Sequence, residues 1–166
     1  MPNTYTQLYI HFVFAVKYRA AMIQSEWEAI LHKYITGIVQ NNQHKLLAIN
    51  SMPDHLHLFI GLNPVQSISE LMRQVKGDSS EFINDKGFSK REFLWQDGYG
   101  AFSNSRSQID KVVKYIACQK EHHCTKTFRE EYIGMLKDYK VDYNEKYIFR
   151  PPAHFVCDKC PGQETI

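Results

Sequence analysis

Met52-Pro53-Asp54-His55-Leu56-His57-Leu58-Phe59-Ile60-Gly61 decides how the chain is read. Pro53-Asp54 is a turn pair, and the seven residues after it have the apolar and aromatic character of a strand. Side chains alternate faces along a strand, so Leu56, Leu58 and Ile60 share one face while His55 and His57 share the other. The first face is core. The second carries two imidazoles about 7 Å apart along the strand, from a rise of ~3.3–3.4 Å per residue. Rings placed this way can converge on one metal ion; a pair of partly exposed surface histidines is the competing reading. His44 to Ser51 reads as the strand before the turn, so the two segments pair as a hairpin.

Outward from this hairpin the rest of the order follows. Gln7 to Val16 (QLYIHFVFAV) is β-branched and aromatic, a strand buried on at least one face. Ser25 with Glu28 three residues on has the form of a capping box, and Trp27, Ile30, Leu31, Tyr34, Ile35 and Ile38 recur at helical spacing up to Asn41-Asn42. Ser67 with Glu70 opens a second helix, striped by Ile68, Leu71, Met72 and Val75 and running to about Asn84. Asp85 to Gln96 is a polar connection, and Gly98 to Ser105 is a short strand. Ser107 caps a third helix through about His123, and another runs from about Thr127 to Lys137. Val141 to Phe149 is Tyr-rich and ambiguous, and Arg150-Pro151-Pro152 stops regular structure. The first six elements give β-α-β-β-α-β, an α+β ferredoxin-like antiparallel sheet with helices on one face and an added C-terminal helix. Residues 1–149 form one domain, and 150–166 a short tail.

Composition bounds the function. With 166 residues, 43% hydrophobic and 23% charged, the chain is an ordinary globular domain. Twenty Lys plus Arg against 18 Asp plus Glu exclude a histone-like polycation and a polyacidic tail, but not a local basic face. The longest clean apolar run near the N-terminus, Phe12 to Val16, is far short of the ~20 residues that span a bilayer. Met1 to Thr6 carries no Lys or Arg, so no signal peptide is expected and the chain reads as cytoplasmic. Cys118, Cys124, Cys157 and Cys160 are then reduced thiols.

Four further groups could carry chemistry. Lys111, Tyr115, Gln119 and His122 fall along one side of the third helix, beside the apolar stripe Ile109, Val112, Val113 and Ile116. Tyr115 at the flank of that polar side could present its hydroxyl to a ligand, and Gln119 an amide oxygen; a surface tyrosine packing its ring is the bland reading. Cys157-x-x-Cys160, with His154 nearby, is half of a zinc site, but no second Cys-x-x-Cys completes it, and free thiols are the preferred reading. Basic residues outnumber acidic ones between Ser105 and Lys137, Arg106 and Lys111 among them. Arg73 and Lys76 belong to a second basic group, and both groups could track phosphates.

Taken together, three stretches resemble the single-tyrosine HUH transposases, the TnpA enzymes of the smallest bacterial insertion sequences. They are Met52 to Leu58 with its His-Leu-His, Trp95 to Ser103 (WQDGYGAFS), and Val113 to Gln119 (VKYIACQ) followed by His122-His123 and Thr127-Phe128. The resemblance runs in order from about Tyr5 to Phe149. It implies a transposase that cuts and rejoins single-stranded DNA at hairpin-marked element ends. It also implies His55, His57 and Gln119 as ligands of Mg²⁺ or Mn²⁺, and Tyr115 as the nucleophile that forms a 5′-phosphotyrosine. No nucleotide cofactor is needed, because the phosphotyrosine conserves the bond energy. Lys111 and His122 are candidates to assist, and Arg73, Lys76 and Arg106 to contact DNA. The family works as a homodimer in which the tyrosine helix of one chain can complete the site of the other. Three alternatives stay open: a domesticated relative that processes chromosomal hairpins, a non-catalytic single-stranded nucleic-acid-binding module, and a zinc hydrolase. The last lacks an evident acidic third ligand apart from Asp54. An unperturbed tyrosine has a pKa of about 10, so some group must accept its proton, and the sequence does not name it.

Overall fold

The structure is a computed structural model that describes residues 4–19 and 22–148. The tail from Arg150, with Pro151, Pro152, His154, Cys157 and Cys160, lies outside the described residues. Four antiparallel strands, β1 (Tyr9–Ala15), β2 (Lys45–Met52), β3 (His55–Gly61) and β4 (Gly100–Asn104), form one sheet in the order β2-β3-β1-β4. Helices α1 (Ser25–Asn41) and α2 (Ile68–Lys86) make the two crossovers. This is the β-α-β-β-α-β arrangement expected from the sequence.

The register of β1 on β3 pairs Val13 with His57 and Ala15 with His55. Both strands therefore turn the same parity of residues to each face. Phe12, Phe14, Leu56, Leu58 and Ile60 pack against Trp27, Leu31 and Ile35 of α1 and Leu71, Met72 and Val75 of α2. Burying that much aliphatic and aromatic surface is the main favourable term holding the fold. The connection after α2 is polar in composition yet not peripheral. Phe93 and Trp95 are buried in the same core, and Trp95 Nε1 donates to Ser79 Oγ at 2.9 Å.

The opposite face has its own cover. After β4 a single 3-10 turn leads into α3 (Ile109–Ala117), α4 (Gln119–His122), α5 (Phe128–Asp138) and the short α6 (Glu145–Ile148). Phe128 and Leu136 of α5 close on Val13, Ala15 and Phe102 to make a second, smaller core. The sheet is thus covered on both sides, which the one-face expectation reached only for α1 and α2.

Three helix boundaries differ from the sequence reading. Ser25 is the first residue of α1, preceded by Gln24 as a cap without a side-chain hydrogen bond. Ser105, not Ser107, starts the segment before α3, through a capping box with Gln108. The third helix does not run unbroken to His123: Cys118 leaves helical geometry and separates α3 from α4. Ser67 caps α2 by accepting from the Glu70 N–H, as the spacing predicts, and Thr127 caps α5 through a capping box with Glu130.

The break after α3 is held from the sheet. Asn50 of β2 donates its amide to the carbonyl of Ile116 at 2.8 Å and points to that of Ala117 at 3.5 Å. These carbonyls belong to the last turn of α3, where a helix leaves its carbonyls short of i+4 donors. Asn50→Ala is expected to cost about 1 kcal/mol. Asn50→Asp, which sets a carboxylate against two carbonyl oxygens, is expected to cost more. Chemical denaturation orders the two variants, and amide exchange across residues 114–119 locates the loosening.

Candidate metal and nucleophile site

β3 supplies His55 and His57, both fully buried on the face opposite the main core. Asp54, from the turn before the strand, accepts from His55 Nδ1 at 2.7 Å. That bond directs His55 Nε2 inward. Burial alone would raise the Asp54 carboxyl, but the hydrogen bond and charge of His55, with the charge of His123, hold it below the usual carboxylate range. His57 Nδ1 lies 2.9 Å from His11 Nε2 on β1. Burial, reinforced by their neighbours, keeps both His11 and His57 well below the ordinary histidine value, so they are neutral near pH 7.

The third wall comes from α5. Glu131 reaches between the two rings, with Oε2 3.6 Å from His55 Nε2 and Oε1 3.7 Å from His57 Nε2. Burial pushes its carboxyl up to about 7, with the charges of His55 lowering and Asp54 raising it. The three ligand atoms lie within 4.8 Å of one another. Those gaps are too long for hydrogen bonds and suit groups that bind one ion at about 2.0–2.3 Å each. His55 Nε2 and His57 Nε2 are buried without a hydrogen-bond partner among the described residues, and Glu131 Oε2, which also makes no hydrogen bond, lies 2.9 Å from His123 Nε2. Buried polar atoms are rarely left unpaired. Two such nitrogens converging with the Glu131 carboxylate fit a divalent cation, and two nitrogens with one carboxylate suit a transition ion such as Mn²⁺ better than Mg²⁺.

Tyr115 stands at the mouth of this cluster. Its hydroxyl donates to Glu131 Oε1, and its ring meets His57 edge-on at 6.0 Å. His122 tilts over the other side of the tyrosine ring at 5.1 Å. The cleft above Tyr115 measures about 390 Å³, and Lys111, His122 and Lys126 line it together with Glu131. A phosphate group entering the cleft would meet Tyr115, basic side chains and Glu131, with the fully buried His55 and His57 behind them.

Gln119 is buried beside the cluster, but both ends of its amide are engaged. Nε2 donates to Glu131 Oε1 at 3.0 Å, and Oε1 lies 3.0 Å from His123 Nε2. In this arrangement Gln119 holds Glu131, and Glu131 faces the histidines. Lys111 and His122 line the cleft as expected. Arg73 and Lys76 sit on α2, across the sheet from Tyr115. Lys76 is further committed to the carbonyls of Gln96 at 2.6 Å and Gly98 at 2.8 Å. Arg106 is exposed in the turn before α3.

Sequence reasoning missed Glu131 and His11, and placed His123 only in the His122-His123 stretch rather than beside His55 and His57. Glu131 carried a usable signal: it is three residues after Phe128 and one before Tyr132, so it lies inside the apolar stripe of an amphipathic helix. It is also the acidic ligand whose lack counted against a hydrolytic zinc site. Among the described residues no helix is long and apolar enough to cross a membrane.

Comparison with known proteins supplies a family and a shared fold. The family described as IS200-like transposases matches residues 4–119. The ISDra2 transposase TnpA of Deinococcus radiodurans is 27% identical over 118 residues, 68% of this chain and 84% of the relative. The transposase of insertion sequence element IS200 from Salmonella typhimurium is 26% identical over 117 residues, 67% of this chain and 76% of the relative. A crystallised D. radiodurans protein assigned as a transposase superposes with a TM-score of 0.59 at 25% identity, covering 72% of this chain and 95% of that one. A REP-associated tyrosine transposase solved with a REP hairpin superposes over 100% of this chain and 98% of its own, with a TM-score of 0.56 at 16% identity, and shares the fold. With its fold, its paired histidines and a match over more than half its length, this chain belongs to the IS200-like transposase family.

Proposed function

We propose that this transposase cuts and rejoins single-stranded DNA through a covalent bond to Tyr115. The observation that carries this reading is the hydroxyl of Tyr115 resting on Glu131, whose carboxylate also faces His55 and His57. In the cleavage step Tyr115 Oη attacks phosphorus while Glu131 Oε1 takes the hydroxyl proton. The bond from phosphorus to the 3′ oxygen breaks, the 5′ phosphate stays on the tyrosine, and the 3′ oxygen leaves as a hydroxyl by taking back from Glu131 the proton it accepted. Attack by a DNA 3′-hydroxyl reverses these events and joins a new strand, so no nucleotide cofactor is consumed.

His55, His57 and Glu131 would hold a divalent cation, Mn²⁺ or Mg²⁺, with Gln119 positioning Glu131 or exchanging with it as a ligand. A cation bound there supplies a Lewis acid that draws charge from the scissile phosphate and its departing oxygen. Asp54 and Gln119 orient their partners, Phe128 stacks on His55 at 4.1 Å and excludes water, and Lys111, Lys126 and His122 hold phosphates. Hairpin-marked DNA is the substrate class this reading takes, in the cytoplasm, with a homodimer as the working form. In one chain Tyr115 already meets its own histidines, so a site completed within the chain is the simpler assembly.

Purified protein mixed with labelled single-stranded DNA carrying its flanking hairpins is expected to give a covalent adduct on a denaturing gel. The adduct should require Mn²⁺ or Mg²⁺ and vanish in Tyr115→Phe. Tight binding with no adduct under either metal would overturn the reading in favour of a binding module. Glu131→Gln is expected to slow adduct formation by about 10²–10⁴-fold, the usual scale for losing a positioned proton acceptor.

The same variant has a signature in stability that needs no DNA. Glu131 ionises near 7 in the folded metal-free protein against an ordinary 4.5. A raised carboxyl favours the folded state fully below the unfolded value, and that contribution is lost as pH rises through 7. Buried His11 and His57, whose imidazoles are held below their ordinary value, carry the opposite sign and are present in both proteins. In EDTA, the Tm of Glu131→Gln is therefore expected to gain on the wild type between pH 4.5 and 7, by an amount on the order of 5–10 °C, and to level off above. A constant difference across that range would place the carboxyl in water.

A further inference from the structure

His11 is a buried imidazole that the reaction scheme above does not use. It sits on β1 at 2% exposure, and its Nε2 lies 2.9 Å from Nδ1 of the fully buried His57. The two rings are inclined by only 30°, so the contact runs from nitrogen to nitrogen along the ring edges. Two neutral imidazoles joined in this way share one proton, and its location decides what His57 can do.

If the proton is on His57 Nδ1, then His57 Nε2 carries a free lone pair aimed at the cluster with His55 and Glu131. If it is on His11 Nε2, then His57 must carry its own proton on Nε2. That nitrogen is then closed to a cation, and its N–H has no acceptor nearer than Glu131 Oε1 at 3.7 Å. Only the first arrangement turns the lone pairs of both unpartnered histidine nitrogens toward the Glu131 carboxylate, the donor set gathered within 4.8 Å.

We propose that His11 is a positioning residue: by accepting the Nδ1 proton of His57 it fixes the His57 tautomer whose Nε2 binds the divalent cation. This proposal rests on the metal site described above. His11 does for His57 what Asp54 does for His55, and outer hydrogen bonds of this kind commonly carry a 10–100-fold share of metal affinity. The two supports differ in kind. Asp54 is an anionic acceptor, while His11 is a neutral one that must itself keep its proton on Nδ1. His11 also stands edge-on to the Tyr115 ring at 6.4 Å, so it could instead serve only as packing, and the test separates the two roles.

Mn²⁺ affinity is measured on the full chain without DNA, by the electron paramagnetic resonance signal of the free ion. His11→Phe keeps a ring in place but cannot accept, and is expected to weaken Mn²⁺ binding ~10–100-fold. His11→Gln, whose amide oxygen can accept, is expected to restore affinity to within a few-fold of wild type. In the Zn²⁺-loaded wild type, nitrogen NMR is expected to show His57 protonated at Nδ1, with that proton shielded from exchange. Equal affinity in the wild type and His11→Phe, no recovery in His11→Gln relative to Phe, or a proton on His57 Nε2 would each overturn the assignment. Should His11→Phe fail to fold, the Gln variant and the wild-type tautomer decide. A wild type that binds no Mn²⁺ overturns the metal reading itself, and with it this role; normal wild-type binding with an unaffected Phe variant overturns the role alone.

Discussion

Strand β3 has no side that faces water, and the rest of the molecule answers to that. Six of its seven residues are buried, and their alternation gives the two faces opposite chemistry. Leucine and isoleucine on one face need only apolar cover, which α1 and α2 provide. Imidazoles on the other face cannot be left dry without partners, since an unpaired buried polar atom costs about 1–3 kcal/mol. Asp54, His11, Glu131 and, through Glu131, Gln119 are the answers to that demand. A slip of one residue in the pairing of β3 would exchange the faces and destroy core and site together. The hairpin turn at Pro53-Asp54 therefore fixes function as much as fold.

Much of this was legible because it depends on local periodicity. The alternation in His55 to Gly61, the order of strands and helices, and the cap at Ser67 all follow from short-range rules. Tyr115 and the histidine pair stood out because they interrupt those patterns with chemistry the pattern does not need. The break at Cys118 was not legible. The amide that holds its carbonyls, Asn50, is 66 positions from Ile116 in sequence, and no local window contains both residues. Ser107 and Ser25 misled for a smaller reason: several polar residues at each helix start could cap, and tertiary contacts chose among them.

The same limit explains the donor set. Gln119 is the residue that four-residue spacing aligns with Tyr115, whereas Glu131 arrives from another helix after a turn. In the folded chain the two meet, and the amide ends up holding the carboxylate. The basic residues divide in the same manner. Lys111 and Lys126 reach the cleft, while Lys76 spends its ammonium on two loop carbonyls and stabilises the Gln96–Gly98 connection instead.

The family match ends at residue 119, and Glu131 lies twelve residues beyond it. A fragment cut at that boundary would keep both histidines and the tyrosine yet lose Phe128 and Leu136, the lid over Val13, Ala15 and Phe102. It would expose an apolar sheet face and two undersupported imidazoles, a surface more apt to aggregate than to catalyse. The smallest portable unit is set by hydrophobic closure, not by motif content, and for grafting or circular permutation it extends at least through α5.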